Sequence, residues 1–127
     1  MSSFVSKEPV RVTVEDRPDE WVAIKPKMSV GDRGTLNDAI MTVSAGMGKD
    51  DKDTKVNVQA GQYLAAMLRV NIVDWRLLGD DGQPVPFKRE LIADLDPDDT
   101  LIDATLGEIA RRNPTLRETH AKSGSES

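Results

Sequence analysis

Cysteine is absent from the 127 residues, which excludes disulfides, thiolate metal ligands and thiol nucleophiles and is in keeping with a reducing compartment. Histidine occurs once, as His120 in a polar C-terminal stretch, so neither a Ser-His relay nor a zinc cluster can be assembled around it. Aromatics are scarce, with two Trp, one Tyr and two Phe; acidic side chains are plentiful, but paired carboxylates for glycosidic chemistry would lack an aromatic platform for the sugar. Long apolar runs are missing as well. The longest are "WVAI" and "LAAML", where a membrane span needs about 20 such residues, and "MSSFVSKEPV" has no apolar core of signal-peptide length. No stripe of positive charge exists either: the net charge is −5, and Lys and Arg are scattered, so there is no footprint for a phosphate backbone. These absences leave a protein of the cytoplasm in which it is made, with no nucleic acid and no membrane among its expected partners.

What is present reads as one domain. The length suits a single core, with a flexible N-terminus over residues 1–9, a folded domain over 10–114 and a disordered C-terminal tail over 115–127, where apolar anchors run out. The expected class is α+β, a small helix-rich domain with two short β-hairpins. Val10, Val12 and Val14 alternate with polar residues, and Trp21, Val22 and Ile24 follow the turn "DRPD", which predicts an antiparallel hairpin. Ser29 can cap the next helix, with Asp32 at the positive end of its dipole. Gly31 and Gly34 weaken the first turn, so the firm helix is expected from Thr35, with Leu36, Ile40, Val43 and Met47 on one face. "AGMGKDDKDTK", residues 45–55, reads as a glycine-rich charged loop. Ala60, Tyr63, Leu64, Met67, Leu68 and Val70 then fall within an arc of about 160°, an amphipathic helix facing a core.

At Asn71 the period changes. Val73, Trp75 and Leu77 alternate with Asp74 and Arg76 as a strand requires. Asp81 and Gly82 predict a tight turn, and Val85 and Phe87 alternate with Pro84 and Pro86 on the return leg, whose missing amides place it at a sheet border. "KRELIADL" brings Leu91, Ile92 and Leu95 together as a short helix. In the last helix Asp96 is the expected cap, Pro97 the first helical residue, and Asp98 and Asp99 favour the positive dipole end. Leu101, Ile102, Leu106 and Ile109 form the buried face, Arg111 and Arg112 complement the other end, and Asn113 and Pro114 stop the helix.

The reactive patterns fail one by one. Asp94, Asp96 and Asp98 have calcium-loop spacing, but the sixth position is Asp99 where glycine is needed and the twelfth is Thr105 where a bidentate Glu is needed. "GMGKDD" lacks the upstream glycine of a phosphate loop, having Val43 there, and places Asp50 after Lys49 where a hydroxyl belongs. Catalytic, metal and cofactor residues are therefore expected to be none. Trp21 and Trp75 are the candidate partner-binding residues: in phase with aliphatic neighbours they read as core or semi-core, and exposed they would be hot spots.

The order of "WVAIKPKMSVGD" at residues 21–32, "NIVDWRLLGDDGQPVPF" at 71–87 and "LDPDDTLIDATLGEIARRNP" at 95–114 resembles the small tail assembly chaperones of long-tailed bacteriophages. The likeness covers roughly residues 20–114, with the Trp, the D-G turn and the "PVP" step as its marks. It implies a non-enzymatic helper that coats the tape-measure protein, helps recruit the major tail protein around it and is absent from the finished virion. It also implies a longer frameshifted form, for which the stretch after Pro114 suits the junction. Such a helper works in the cytoplasm of the bacterial host, and self-association into a homo-oligomer is open. The alternative is a permanent structural or connector protein of the virion.

Overall fold

The computed structural model describes residues 2–46 and 63–114. Within them an antiparallel sheet of four strands runs β1 (Val10–Val12), β2 (Trp21–Ile24), β3 (Ile72–Leu78) and β4 (Pro84–Val85), in that spatial order. Helices α1 (Val30–Gly46), α2 (63–71) and α3 (Thr100–Arg112) and a 3₁₀ turn (Arg89–Asp94) complete the domain, which is α+β. Both expected hairpins form, and β2 pairs with β3 to merge them into one sheet. Residues 2–9 carry neither helix nor strand. The glycine-rich stretch beyond Gly46, Ala60 and the tail over 115–127 lie outside the described residues. No helix among the described residues is long and apolar enough to cross a membrane.

Side-chain alternation assigns the sheet's two faces. Val12, Val22 and Trp75 lie in one register row and are buried, as is Ile24 two residues on. Arg11, Ala23 and Asp74 form the next row and point the other way. A bulge between Ala23 and Ile24 shifts the pairing so that Ile24 meets Ile72. Ile72 therefore takes the core position expected for Val73, which is only partly buried; an extra residue in one strand reverses the side-chain phase beyond it. Pro84 faces Leu78 on the last strand of the sheet, in accord with its missing amide donor. The tight turn that leads there is closed by Gly82 N–H to Gly79 O at 2.9 Å, with Gly82 at φ 77°, where glycine avoids the clash a Cβ would meet.

Met28, Leu36, Met67, Leu68, Ile92, Leu101, Ile102 and Ile109 bury against the inner face. Ala66 and Thr105 join them, the latter donating its hydroxyl to Leu101 O at 2.7 Å. Leu106 is only partly buried.

Helix α1 starts at Val30, not Thr35. Ser29 Oγ accepts from Asp32 N–H at 3.1 Å and Asp32 Oδ2 accepts from Ser29 N–H at 3.0 Å. This reciprocal capping box satisfies two donors that the end of a helix would otherwise leave without partners, and so offsets the two glycines. Lys25 Nζ adds a 2.7 Å ion pair to Asp32. Helix α3 is likewise capped one turn later than expected, by Asp99. Its carboxylate accepts from Leu101 and Ile102 N–H and also holds Arg17 of the β1–β2 turn at 2.5 and 2.6 Å. Asp96 instead closes a turn around Pro97, accepting from Asp98 N–H at 2.9 Å. The long-range partner decides between two aspartates that are locally equivalent.

Two buried asparagines finish helices. Asn113, the C-cap of α3, donates to Ile109 O at 2.7 Å and accepts from Met28 N–H at 2.9 Å, tying α3 to the segment that enters α1. Asn71 ends α2 and donates to Met67 O at 2.8 Å, while its backbone carbonyl accepts from Lys25 N–H. Its Oδ1 has no partner. The next residue, Ile72, already belongs to β3, so α2 passes into the sheet without a loop. Arg89 covers the same junction by donating Nη1 to Arg69 O and, at 3.4 Å, to Ile72 O.

Candidate functional site

The two tryptophans face opposite sides of the sheet. Trp75 is 6% exposed. It packs edge-on against Phe87, with ring centroids 4.9 Å apart, and its indole Nε1–H donates to Val85 O at 2.9 Å. Both the apolar body and the polar tip are thus used internally, and Trp75 serves the core rather than a partner. The short edge strand needs this bond, because two ladder pairs alone hold β4.

Trp21 lies one register step away, opposite Arg76, and is partly buried on the outer face. The guanidinium of Arg11 sits 4.1 Å from the centre of its ring. Arg76, the cross-strand neighbour of Trp21, is exposed and anchored through Nε–H to Asp19 O at 2.9 Å. Ala23 is covered in this setting at 4% exposure, and Asp74 completes the row as an exposed carboxylate whose Oδ1 accepts from Trp75 N–H. The strands supply the geometry: residues at alternating positions of β1, β2 and β3 set a tryptophan between two arginines on a rigid platform. An aromatic ring that already holds one cation, with a second guanidinium adjacent, suits an apolar or acidic side chain of another protein.

Asp96 and Asp99 of the D-P-D-D segment have structural tasks. Burial disfavours the charged form of Asp99, but the hydrogen bonds from Arg17 and from the Ile102 and Leu101 amides outweigh it and hold the pKa below its ordinary value of 3.8. Arg17 is pushed up by its bond to Asp99, against the cost of burial, with Glu20 adding to the rise. Asp32 follows Asp99: burial raises its pKa, yet Lys25 and the Ser29 backbone and hydroxyl bring it below 3.8. Glu108 is lowered chiefly by Arg111, with Arg112 contributing at 2.8 Å. Each of these shifts traces to a cap or an ion pair rather than to a convergent reactive centre. Among the described residues no group of three or more His, Asp or Glu is arranged to hold a metal ion.

Sequence reasoning named Trp21 together with Trp75 but missed Arg11 and Arg76, although the register of the predicted hairpin pairs Arg11 with Ala23 and so sets it diagonally beside Trp21. The role of Arg17 was also missed, and Asn71 and Asn113 were read as element boundaries without their ties to Lys25 and Met28, because these contacts are remote in sequence. No family model, curated protein or solved structure matches the chain.

Proposed function

We propose that this chain is a non-enzymatic tail assembly chaperone of a long-tailed bacteriophage. It binds the tape-measure protein in the cytoplasm of the bacterial host and helps recruit the major tail protein around it. The observation that carries the reading is the outer sheet face, where Trp21 of β2 holds the Arg11 guanidinium of β1 against its ring and pairs across the strands with Arg76 of β3. Trp and Arg dominate the energetics of protein contacts, and a rigid strand platform presents them with little ordering cost on binding. The segments from Trp21 to Asp32 and from Asn71 to Pro114, which carry the likeness to such chaperones, form β2, β3 and the elements around them.

Co-expression with the tape-measure protein encoded beside it tests this. The expected result is a complex and a gain in the soluble fraction of the client, both lost in Trp21→Ala and in Arg11→Glu while the variants stay folded. Failure of the wild-type chain to retain or solubilise that client sinks the proposal. Mass spectrometry of purified particles checks the same reading from the other side, because a chaperone is missing from the virion and a connector is present in fixed copy number.

A further inference from the structure

Two surfaces at opposite ends of the sheet lie apart from the Trp21 face and carry opposite charge. The first surrounds the entry to α1. Phe4 and Val30, 88% and 91% exposed, line one shallow groove together with Lys7, Lys27 and Arg33, and no carboxylate lines it. Among the described residues these three cations form no ion pair. A large aromatic and a valine standing side by side in water are the kind of surface that another molecule covers.

The second surface is a groove of about 380 Å³ between the β3–β4 turn, the 3₁₀ turn and the start of α3. Leu77, Leu78, Leu91 and Leu95 give it an apolar lining. Asp80, Asp94 and Asp96 stand around it without cationic partners among the described residues, whereas Asp99 is already held by Arg17. The volume is at the scale that accepts an aromatic side chain. The neighbouring edge does not invite strand addition: Pro84 has no amide to donate, and Val85 O is taken by the Trp75 indole. A partner enters this groove by inserting side chains.

The strand register sets the two surfaces apart. Ile24 and Ile72 mark one end of the β2–β3 pair, from which the chain continues to Met28 and Val30. Trp21 and Arg76, and beyond them Leu78 and Pro84, mark the other. A single copy therefore has no means of joining its own cationic apolar end to its own acidic apolar groove. We propose that a second copy of this chain does so, seating its Phe4–Val30 end in the leucine-lined groove of the first, with Lys7, Lys27 and Arg33 against Asp80, Asp94 and Asp96. The contact is head to tail. It leaves one groove and one Phe4 end unused in every pair, so association continues into a chain or closes as a ring. It employs none of Arg11, Trp21 and Arg76 and does not depend on the identity of the client.

Sedimentation of the full-length protein alone at low salt tests the proposal. The mass should rise with concentration past the dimer and fall back on adding salt, since exposed charges attract less strongly when screened. Phe4→Ser with Val30→Ser removes the inserted end, and Asp80→Lys with Asp94→Lys reverses the groove. Each double variant should keep the wild-type melting temperature and associate about tenfold more weakly or not at all. Mixed together, the two variants should form a one-to-one dimer that grows no further, because the mixture offers a single kind of intact end and a single kind of intact groove. Adding Lys7→Glu and Lys27→Glu to the groove variant should restore assembly through the exchanged charges. The proposal is overturned if the wild-type chain stays monomeric at about 0.5 mM. A closed dimer indifferent to both double variants overturns it too, as does a groove variant that loses the client while its own assembly is unchanged.

Discussion

Trp21 and Trp75 differ in fate because of one register step. Val22 pairs with Trp75, so Trp21 faces the opposite side, and a side-chain period of two leaves no intermediate choice. Replacing Trp75 by Ala removes a buried ring, its contact with Phe87 and the bond to Val85 O. The expected loss is about 3–5 kcal/mol in urea unfolding. Trp21→Ala gives up a partly exposed cation–π contact and should cost about 1 kcal/mol; a loss near that of Trp75 would show that the outer face supports the fold instead of being available to a partner. The buried asparagines offer a second comparison. Asn113→Ala deprives Met28 N–H of its acceptor and should cost about 1–3 kcal/mol beyond the cavity. Asn71→Ala should cost less, because the oxygen it deletes has no partner. Thermal unfolding of the two variants side by side gives the difference directly.

At the scale of elements, the caps carry the most specific expectations. Asp99→Ala removes the cap of α3 and the anchor of Arg17 together, and about 1–2 kcal/mol should be lost. Asp96→Ala should cost clearly less, although sequence alone favours Asp96 as the cap. Chemical denaturation that ranked the two in reverse order would show that the Arg17 clamp is not what sets the helix start. The contrast also marks which features were legible in the chain. The two hairpins, the Gly82 turn, the proline-bordered edge and the Asn113 stop were readable because each rests on neighbours in sequence: alternation, a residue that tolerates positive φ, a missing amide. The cap at Asp99 was not, because it is chosen by Arg17, 82 residues away. Ile72 in place of Val73 was not, because a bulge opposite Ile24 resets the phase. The start of α1 at Val30 was half-readable: Ser29 was named as cap and Asp32 as a dipole charge, but their reciprocal bonding, which overrides Gly31 and Gly34, is a matter of geometry. Of the candidate site, Trp21 could be named but not distinguished from Trp75, since a surface and a core tryptophan on a strand differ only by parity.

At the scale of the whole molecule, ion-paired carboxylates set the response to acid, Glu108 with Arg111 and Arg112 among them. Asp32 and Asp99 both titrate below their ordinary 3.8 in the folded state. A carboxylate with a depressed folded pKa binds its proton more readily when unfolded. Its stabilising contribution is therefore complete above the unfolded value and disappears as pH falls through the folded one. The melting temperature should accordingly hold steady down to about pH 5 and then decline below about pH 4. Asp99→Asn should start lower and decline less steeply over that range. A parallel acid limb in the variant would assign the acid sensitivity to other groups. Arg17 titrates far above this window, so its partner Asp99 is the group that governs the clamp.

The direct passage from α2 into β3 at Asn71 has a consequence for anyone who edits this gene. A connecting loop absorbs the addition or removal of a codon by changing its path, but here there is none to do so. Deleting one residue between 66 and 71 would turn the helix by about 100° against a strand held on both sides, sending Met67 and Leu68 away from the interior. Affinity tags, fluorophore insertions and circular permutants are therefore best kept clear of this junction.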